Sequence, residues 1–378
     1  MNSNLEGVEI SGIRKFFNKV QQVPEAISLT LGQPDFKVPD NIKRAMINAI
    51  NDDKTIYTAN AGIYELRKEI CTYLKDYNII YEPDEVCITG GGSEGLYSSL
   101  SALINPGDRL IIPNPAYPAY KSIGTILGAD IKEYELKEDF SLDIDDLKLK
   151  IKAGSNNILV LSFPSNPTGA ILNSEDCERL HDLIKCNDLL VITDEIYSAL
   201  CYSRYYSIAE YQDIRDKIIY VSGFSKMFSM TGLRVGYICA PKEILQYMMK
   251  VHQYNVSCAT SISQYAALEG LKNSIQDVAC MKEVFRERRD FVYNRLLELG
   301  FQCNLPQGAF YIFPSIKDFN MKSEDFCDEL LYRGKVACVP GTAFGSKGEG
   351  YIRISYCYSK EELQKALNRI EKWLYKIK

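Results

Sequence analysis

The stretch SGFSKMFSMTGLRVGY, residues 222–237, decides how this chain is read. It continues an apolar strand at 218–222 and places Ser225, Lys226 and Arg234 on the loop that leaves it. In a parallel sheet, ligands gather beyond the carboxyl ends of the strands, so a lysine there is positioned to meet one. A lone lysine is ordinarily a solvated surface residue. Here hydroxyl side chains and an arginine surround it, a set suited to an anionic group. Such a lysine can form an imine with an aldehyde cofactor.

Outward from this loop, apolar runs at 86–89, 109–112, 158–162, 190–193, 218–222 and 235–239 alternate with helical patterns such as 174–186. The alternation predicts an α/β fold with a mainly parallel sheet buried on both faces. After residue 275 the pattern changes to a long charged helix, VFRERRDFVYNRLLELG, stopped at Gly300. Strand-like GAFYIFP (308–314) and YIRISY (351–356) flank the helix SEDFCDELLYRG (323–334), and a Ser359-x-x-Glu362 capping box opens the last helix. These elements read as a smaller α+β domain. Residues before Asn41 lack a core of their own and are expected to pack between the domains or join the smaller one. The expected division is a large domain at 46–280 and a small one at 1–45 with 281–378.

Composition closes other routes. With 378 residues and 46% hydrophobic content, an ordinary buried core can form. The 44 Lys+Arg and 49 Asp+Glu are mixed along the chain and sum to −5, which leaves no nucleic-acid footprint and no polybasic membrane patch. Twelve cysteines without C-x-x-C spacing read as reduced, mostly buried thiols of a cytoplasmic protein. The first residues lack an apolar signal-peptide core, and no run reaches 18 apolar residues, so neither secretion nor a membrane span is expected. His181 and His252 are the only histidines, too few for a three-histidine metal site, and each reads as a surface or satisfied core residue. No metal is expected.

Four more segments carry chemistry. TGGGSEGL (89–96) is a turn between strand and helix whose free N–H groups at the helix start suit a phosphate, although three glycines also mark a plain tight turn. It lacks both the Gly-Lys-Ser/Thr of a P-loop and the G-x-G-x-x-G of a dinucleotide site. LLVITDEIY (189–197) ends a buried strand on Asp194, which is costly without a partner. Asp194 reads either as a turn or cap residue or as counter-ion to a protonated ring nitrogen, with Tyr197 bonding the same ring. SFPSNPTGA (162–170) brackets Asn166 with prolines, aiming one amide or simply making a turn. IPNPAYPAY (112–120) presents Tyr117 as an exposed turn aromatic or a stacking platform.

In order along the chain stand LGQPDF (31–36), YTANAGIYELR (57–67), TGGGSEGL, NPAYPAY, SNPTG, DEIY, SKMFSMTGLRVGY, PQGAFYIFP (306–314), PGTAFG (340–345) and YIRISY. This collinear set resembles the pyridoxal-phosphate-dependent aminotransferases of fold type I, the class I/II group related to aspartate aminotransferase. VHQYNVSCATSISQYAALEG (251–270) and GAFYIFPSIKDF (308–319) further resemble the bacterial aminotransferase A subgroup, assigned to transamination of N-acetyl-L,L-diaminopimelate in lysine synthesis.

The resemblance implies pyridoxal 5′-phosphate as cofactor, with Lys226 bonding its aldehyde and carrying the proton. Asp194 would pair with the pyridine nitrogen, Tyr197 and Asn166 would bond the phenolic oxygen, and Tyr117 would stack on the ring. Gly91, Gly92, Ser93, Ser225 and Arg234 would hold the phosphate, joined by Tyr57 from the neighbouring subunit of a homodimer. Arg353, Gly32 and Asn166 would bind the substrate α-carboxylate, although an arginine on a strand can also be a plain structural ion pair. Three positions depart from the pattern: Gln33 stands where many relatives carry Glu, Leu233 where Trp is frequent, and Gly223 where some carry serine. The implied activity is ping-pong transfer from an L-amino acid to a 2-oxo acid, with N-acetyl-L,L-diaminopimelate, aspartate and aromatic amino acids as donors in view. The alternatives are a carbon–sulfur β-lyase of the same fold and a non-catalytic regulatory protein.

Overall fold

In the computed structural model, which describes residues 3–377, a two-residue strand β1 (Ile27–Ser28) precedes seven strands that share one sheet. These are β2 (Val86–Thr89), β3 (Arg109–Asn114), β4 (Asp130–Glu135), β5 (Asn157–Ser162), β6 (Leu189–Asp194), β7 (Ile218–Gly223) and β8 (Gly236–Cys239). Their order is β2-β8-β7-β6-β5-β3-β4. The pairings β7–β6–β5–β3–β4 are parallel, while β8 runs against both β7 and β2.

The sheet forms where unbroken aliphatic runs have helices to cover both faces. Leu159, Val160 and Leu161 of β5 are fully buried, and each contributes roughly 1.5–3 kcal/mol by leaving water. Strand β4, DIKEYE, is absent from the sequence-predicted alternation because its charged residues hide the strand signal. Charge is tolerated there because β4 is the edge of the sheet, where it also discourages pairing with another chain.

The helix Ser174–Cys186 forms as read. Asn173 Oδ1 accepts from the Asp176 amide at 2.8 Å and Asp176 Oδ2 from the Asn173 amide at 3.4 Å, a capping box. The helix Ile275–Glu298 ends at Gly300, whose φ is +91°. There the amides of Gly300 and Phe301 donate to Leu297 and Leu296 carbonyls, both at 3.0 Å. Ser359 and Glu362 exchange the expected bonds at the start of Lys360–Ile377.

The C-terminal part carries β9 (Tyr311–Ile312), β10 (Val336–Ala337), β11 (Val339–Pro340) and β12 (Ile352–Ser355). Strands β11-β12-β9 form an antiparallel sheet, and β1 pairs in parallel with β10. Only two residues of GAFYIFP are strand, so that segment is more irregular than its pattern suggested. Phe16, Val23 and Leu29 share a buried cluster with Phe310, Leu367 and Trp373, which places the N-terminal segment against the C-terminal part.

Among the described residues no helix is long and apolar enough to cross a membrane, and no group of three or more His, Cys, Asp or Glu could hold a metal. All twelve cysteines are free, seven of them buried.

Candidate active site

Topology brings distant motifs to one edge. Strands β3, β5, β6 and β7 are parallel, so Asn114, Ser162, Asp194 and Gly223 end on the same side of the sheet. Because β8 is reversed, its first residue, Gly236, pairs with Gly223 and with Thr89 of β2, and Arg234 arrives at that edge as well. There lies a cavity of about 250 Å³ lined by Gly32, Gly92, Ser93, Tyr117, Asn166, Asp194, Tyr197, Ser225, Lys226, Arg234 and Arg353. Tyr57 does not line it and is 84% exposed. A neighbouring cleft of about 400 Å³ shares Tyr117. Most of its charges are already paired, as in Lys19–Asp328 and Lys121–Glu133, both at 2.8 Å. The chemistry therefore belongs to the smaller cavity.

Lys226 sits in the one-turn helix Phe224–Met227 that follows β7. Its Nζ donates to the Gly32 carbonyl at 2.5 Å and lies about 6 Å from the Phe310 and Tyr197 rings, at 5.9 and 6.0 Å. Burial pushes the amine down to about 8; Arg353 and Arg234 act in the same direction, against Cys357 and Asp194. A lysine so placed offers a neutral nucleophile near neutral pH.

Asp194 is buried at the end of β6. Its Oδ2 accepts from the Tyr120 hydroxyl at 2.7 Å and its Oδ1 from the Ile196 amide at 3.3 Å. Burial raises its pKa, against the Tyr120 and Ile196 bonds and the Lys226 charge. A cationic N–H presented to this carboxylate reverses the cost of its burial. Tyr120 and Ser162, whose oxygens are 2.9 Å apart, complete this network and were missed from sequence. Tyr120 lies inside the NPAYPAY motif, but only the fold reveals that it reaches a residue 74 positions on.

Across the cavity, the turn after β2 approaches Arg234. Gly91 has φ +92°, and a Cβ there would come within 2.5 Å of Arg234 Nη2, so only glycine permits this approach. Arg234 Nη2 donates to the Gly90 carbonyl at 3.2 Å and Nη1 to Thr231 at 2.9 Å. The helix Gly92–Leu103 starts here, and its first N–H groups have no intrahelical acceptor. Gly223 is explained by packing: a Cβ would stand 2.8 Å from the Gly236 Cα on the paired strand.

Arg353 on β12 is 2% exposed. Nη1 donates to Asn166 Oδ1 at 3.0 Å, Nη2 to the Thr30 carbonyl at 2.6 Å, and the guanidinium lies 4.4 Å from the Tyr311 ring centre and 4.9 Å from that of Phe344. Its Nε is buried without a partner. Among the described residues no carboxylate forms an ion pair with it, which removes the reading as a structural pair. A buried guanidinium left in this condition is poised for an incoming carboxylate.

Asn166 and Tyr197 were expected to aim at one shared atom. In this structure Asn166 bonds Arg353, and Tyr197 shares a 2.9 Å hydroxyl contact with Tyr311, a cavity residue that sequence reasoning missed.

Comparison with known proteins gives the family. Residues 24–370 match the family model for aminotransferase class I and II. The chain is similar to a probable N-acetyl-LL-diaminopimelate aminotransferase of Bacillus subtilis, with 44% identity covering 100% of this chain and 96% of the relative. It is also similar to an aspartate aminotransferase of Pyrococcus abyssi, with 38% identity over 99% and 98% of the two chains. Among solved structures, a Thermus thermophilus aspartate aminotransferase with maleate superposes with a TM-score of 0.94 at 31% identity, covering 99% of each chain. The chain belongs to the class I and II aminotransferases of pyridoxal-phosphate fold type I and is an enzyme that transfers amino groups.

Proposed function

We propose that the enzyme holds pyridoxal 5′-phosphate in the 250 Å³ cavity and moves an amino group by ping-pong exchange from N-acetyl-L,L-diaminopimelate to a 2-oxo acid, 2-oxoglutarate. The observation that carries the site assignment is one cavity joining a depressed-pKa lysine, a buried aspartate and a buried arginine with no carboxylate partner. The donor is supported by the identity to the Bacillus subtilis relative along the whole chain. The residues fit the cofactor: the glycine-turn amides, Ser225 and Arg234 form a cradle for a dianion, and Asp194 faces the same cavity. When bound, pyridoxal phosphate supplies an aldehyde and an electron-withdrawing ring.

The chain's own part follows from geometry. Arg353 fixes the substrate α-carboxylate, with Asn166 holding one guanidinium nitrogen in place. Lys226 Nζ takes a proton from the substrate Cα and returns it at the other end of the reacting system, within reach of one amine. Asp194, held by Tyr120, would keep a proton on the ring nitrogen of the bound cofactor. Tyr117 would stack on the ring, and Tyr197 with Asn166 would bond its phenolic oxygen. On this reading residues 46–280 form the large domain, while 1–45 and 281–378 form the small one. A homodimer brings Tyr57 to the neighbouring phosphate and covers Ile56 and Tyr254, which are 75% and 88% exposed in one chain.

The test is a half-reaction screen with single amino acids. Loss of the cofactor's visible band with N-acetyl-L,L-diaminopimelate, restored by 2-oxoglutarate, is expected; if only aspartate or an aromatic amino acid works, the donor is reassigned. Pyruvate release from cystathionine would assign a β-lyase instead. Two further outcomes are expected. Arg353→Leu lowers kcat/KM about 10²–10³-fold, because a charge-assisted bidentate contact contributes roughly 3–4 kcal/mol; steady-state kinetics check this. The rate at which cofactor-free enzyme captures pyridoxal phosphate rises about tenfold per pH unit and levels above about 8, where Lys226 becomes neutral.

A further inference from the structure

His252, on the helix Lys242–Asn255, is fully buried and does not line the cavity. Its Nδ1 lies 3.3 Å from each carboxylate oxygen of Glu94, and its Nε2 lies 2.9 Å from the Asn60 carbonyl. Both ring nitrogens face oxygen acceptors. Glu94 directly follows Ser93. Its Oε2 accepts from the Gly90 amide at 3.1 Å and its Oε1 from Ser98 Oγ at 2.5 Å. The Gly90 carbonyl in turn accepts from Arg234. The glycine turn is therefore gripped from both sides, by a carboxylate on its amide and a guanidinium on its carbonyl. Asn60 lies on the same loop as Tyr57 and donates from Nδ2 to the Ser257 carbonyl.

We infer that His252 is a positioning residue: its pairing with Glu94 holds the turn at residues 90–93 in the shape that receives the cofactor phosphate and ties it to the loop carrying Tyr57. This rests on the cofactor assignment above. The Glu94 side chain is 8% exposed and that of His252 is not exposed at all. A carboxylate so enclosed needs a compensating donor. Without the imidazole, Glu94 loses the donor that holds it from the helix side and is free to swing away from the Gly90 amide, which releases the turn. This response acts at the phosphate end of the cavity and leaves Lys226 and Asp194 untouched.

The discriminating measurement compares pyridoxal 5′-phosphate with pyridoxal, which lacks the phosphate. Dissociation constants for both are read from the visible band in wild type, His252→Phe, Glu94→Ala and His252→Asn. His252→Phe and Glu94→Ala are expected to bind pyridoxal phosphate about tenfold or more weakly, with pyridoxal binding unchanged. His252→Asn, whose amide can still donate to Glu94, should recover part of the loss. Equal weakening toward both compounds, or none, overturns the inference. Should His252→Phe fail to fold, Glu94→Ala decides alone, since alanine is the residue best suited to the first turn of a helix. Wild type that binds neither compound refutes the cofactor assignment, a separate failure.

Discussion

Lys226→Ala protein is expected to bind pyridoxal phosphate yet transfer amino groups at least about 10⁴-fold more slowly. Acid–base catalysis by one placed side chain contributes about 10²–10⁴-fold, and this substitution also removes the nucleophile that bonds the aldehyde. Single-turnover absorbance with the best donor checks the rate, and the visible band of the lysine linkage should be missing. Near-normal turnover would remove Lys226 from the chemistry. Stability should not suffer. Burial lowers the Lys226 pKa to about 8, below an unfolded value near about 10.4. Its favourable contribution is therefore full above the unfolded value and lost as pH falls through about 8. Wild type should gain stability between about pH 8 and pH 10 from this group, and the alanine variant should lack that gain in denaturant titrations.

The second large effect is expected at Asp194. A carboxylate about 3 Å from a ring N–H in surroundings of effective dielectric about 20 favours the protonated ring by roughly 5 kcal/mol, or about 10³–10⁴-fold. Asp194→Ala should lose turnover by that order while retaining its secondary structure, because the side chain's partners are Tyr120 and one local amide rather than core contacts. The decisive readout is the protonation of the bound ring nitrogen, followed by ¹⁵N shift of labelled cofactor: an unchanged shift with unchanged rate would refute the role. Tyr120→Phe should move the same shift in the same direction by a smaller amount, about tenfold in rate, since one hydrogen bond to a charged group is removed.

Most strands of the central sheet could be read from the chain because a fully buried strand needs an unbroken aliphatic run, and 158–162 or 218–222 can hardly be anything else. The edge strand Asp130–Glu135 could not, since an exposed edge selects charge over hydrophobicity. Eleven of the thirteen residues expected in the site line one cavity. They were legible because each sits beside a strand end, a proline or a glycine that betrays an unusual local backbone. Tyr120 and Tyr311 carry no such mark, and Ser162, though it ends β5, gives no sign in the sequence of its partner. An aromatic in NPAYPAY or GAFYIFP is equally suited to a core, and its hydroxyl's partner is 42 to 114 residues away.

The same division holds for charge. The residue types at Lys226, Asp194 and Arg353 are properties of the chain, and within the collinear motifs they carry the family resemblance that implied a lysine-based cofactor enzyme and its class. Whether each is paired, and how far its pKa moves, depends on which groups the fold brings within a few ångströms and how much water it removes. Among the described residues Arg353 has no carboxylate partner, because the fold sets β12 so that its guanidinium meets Asn166 and two rings instead. His252 reads as a bland core histidine until the Lys242–Asn255 helix sets it between Glu94 and Asn60. Local sequence determines which groups exist and which backbone shapes are allowed, whereas electrostatic character arises from contacts between segments far apart in the chain, and those exist only once the sheet has closed its order.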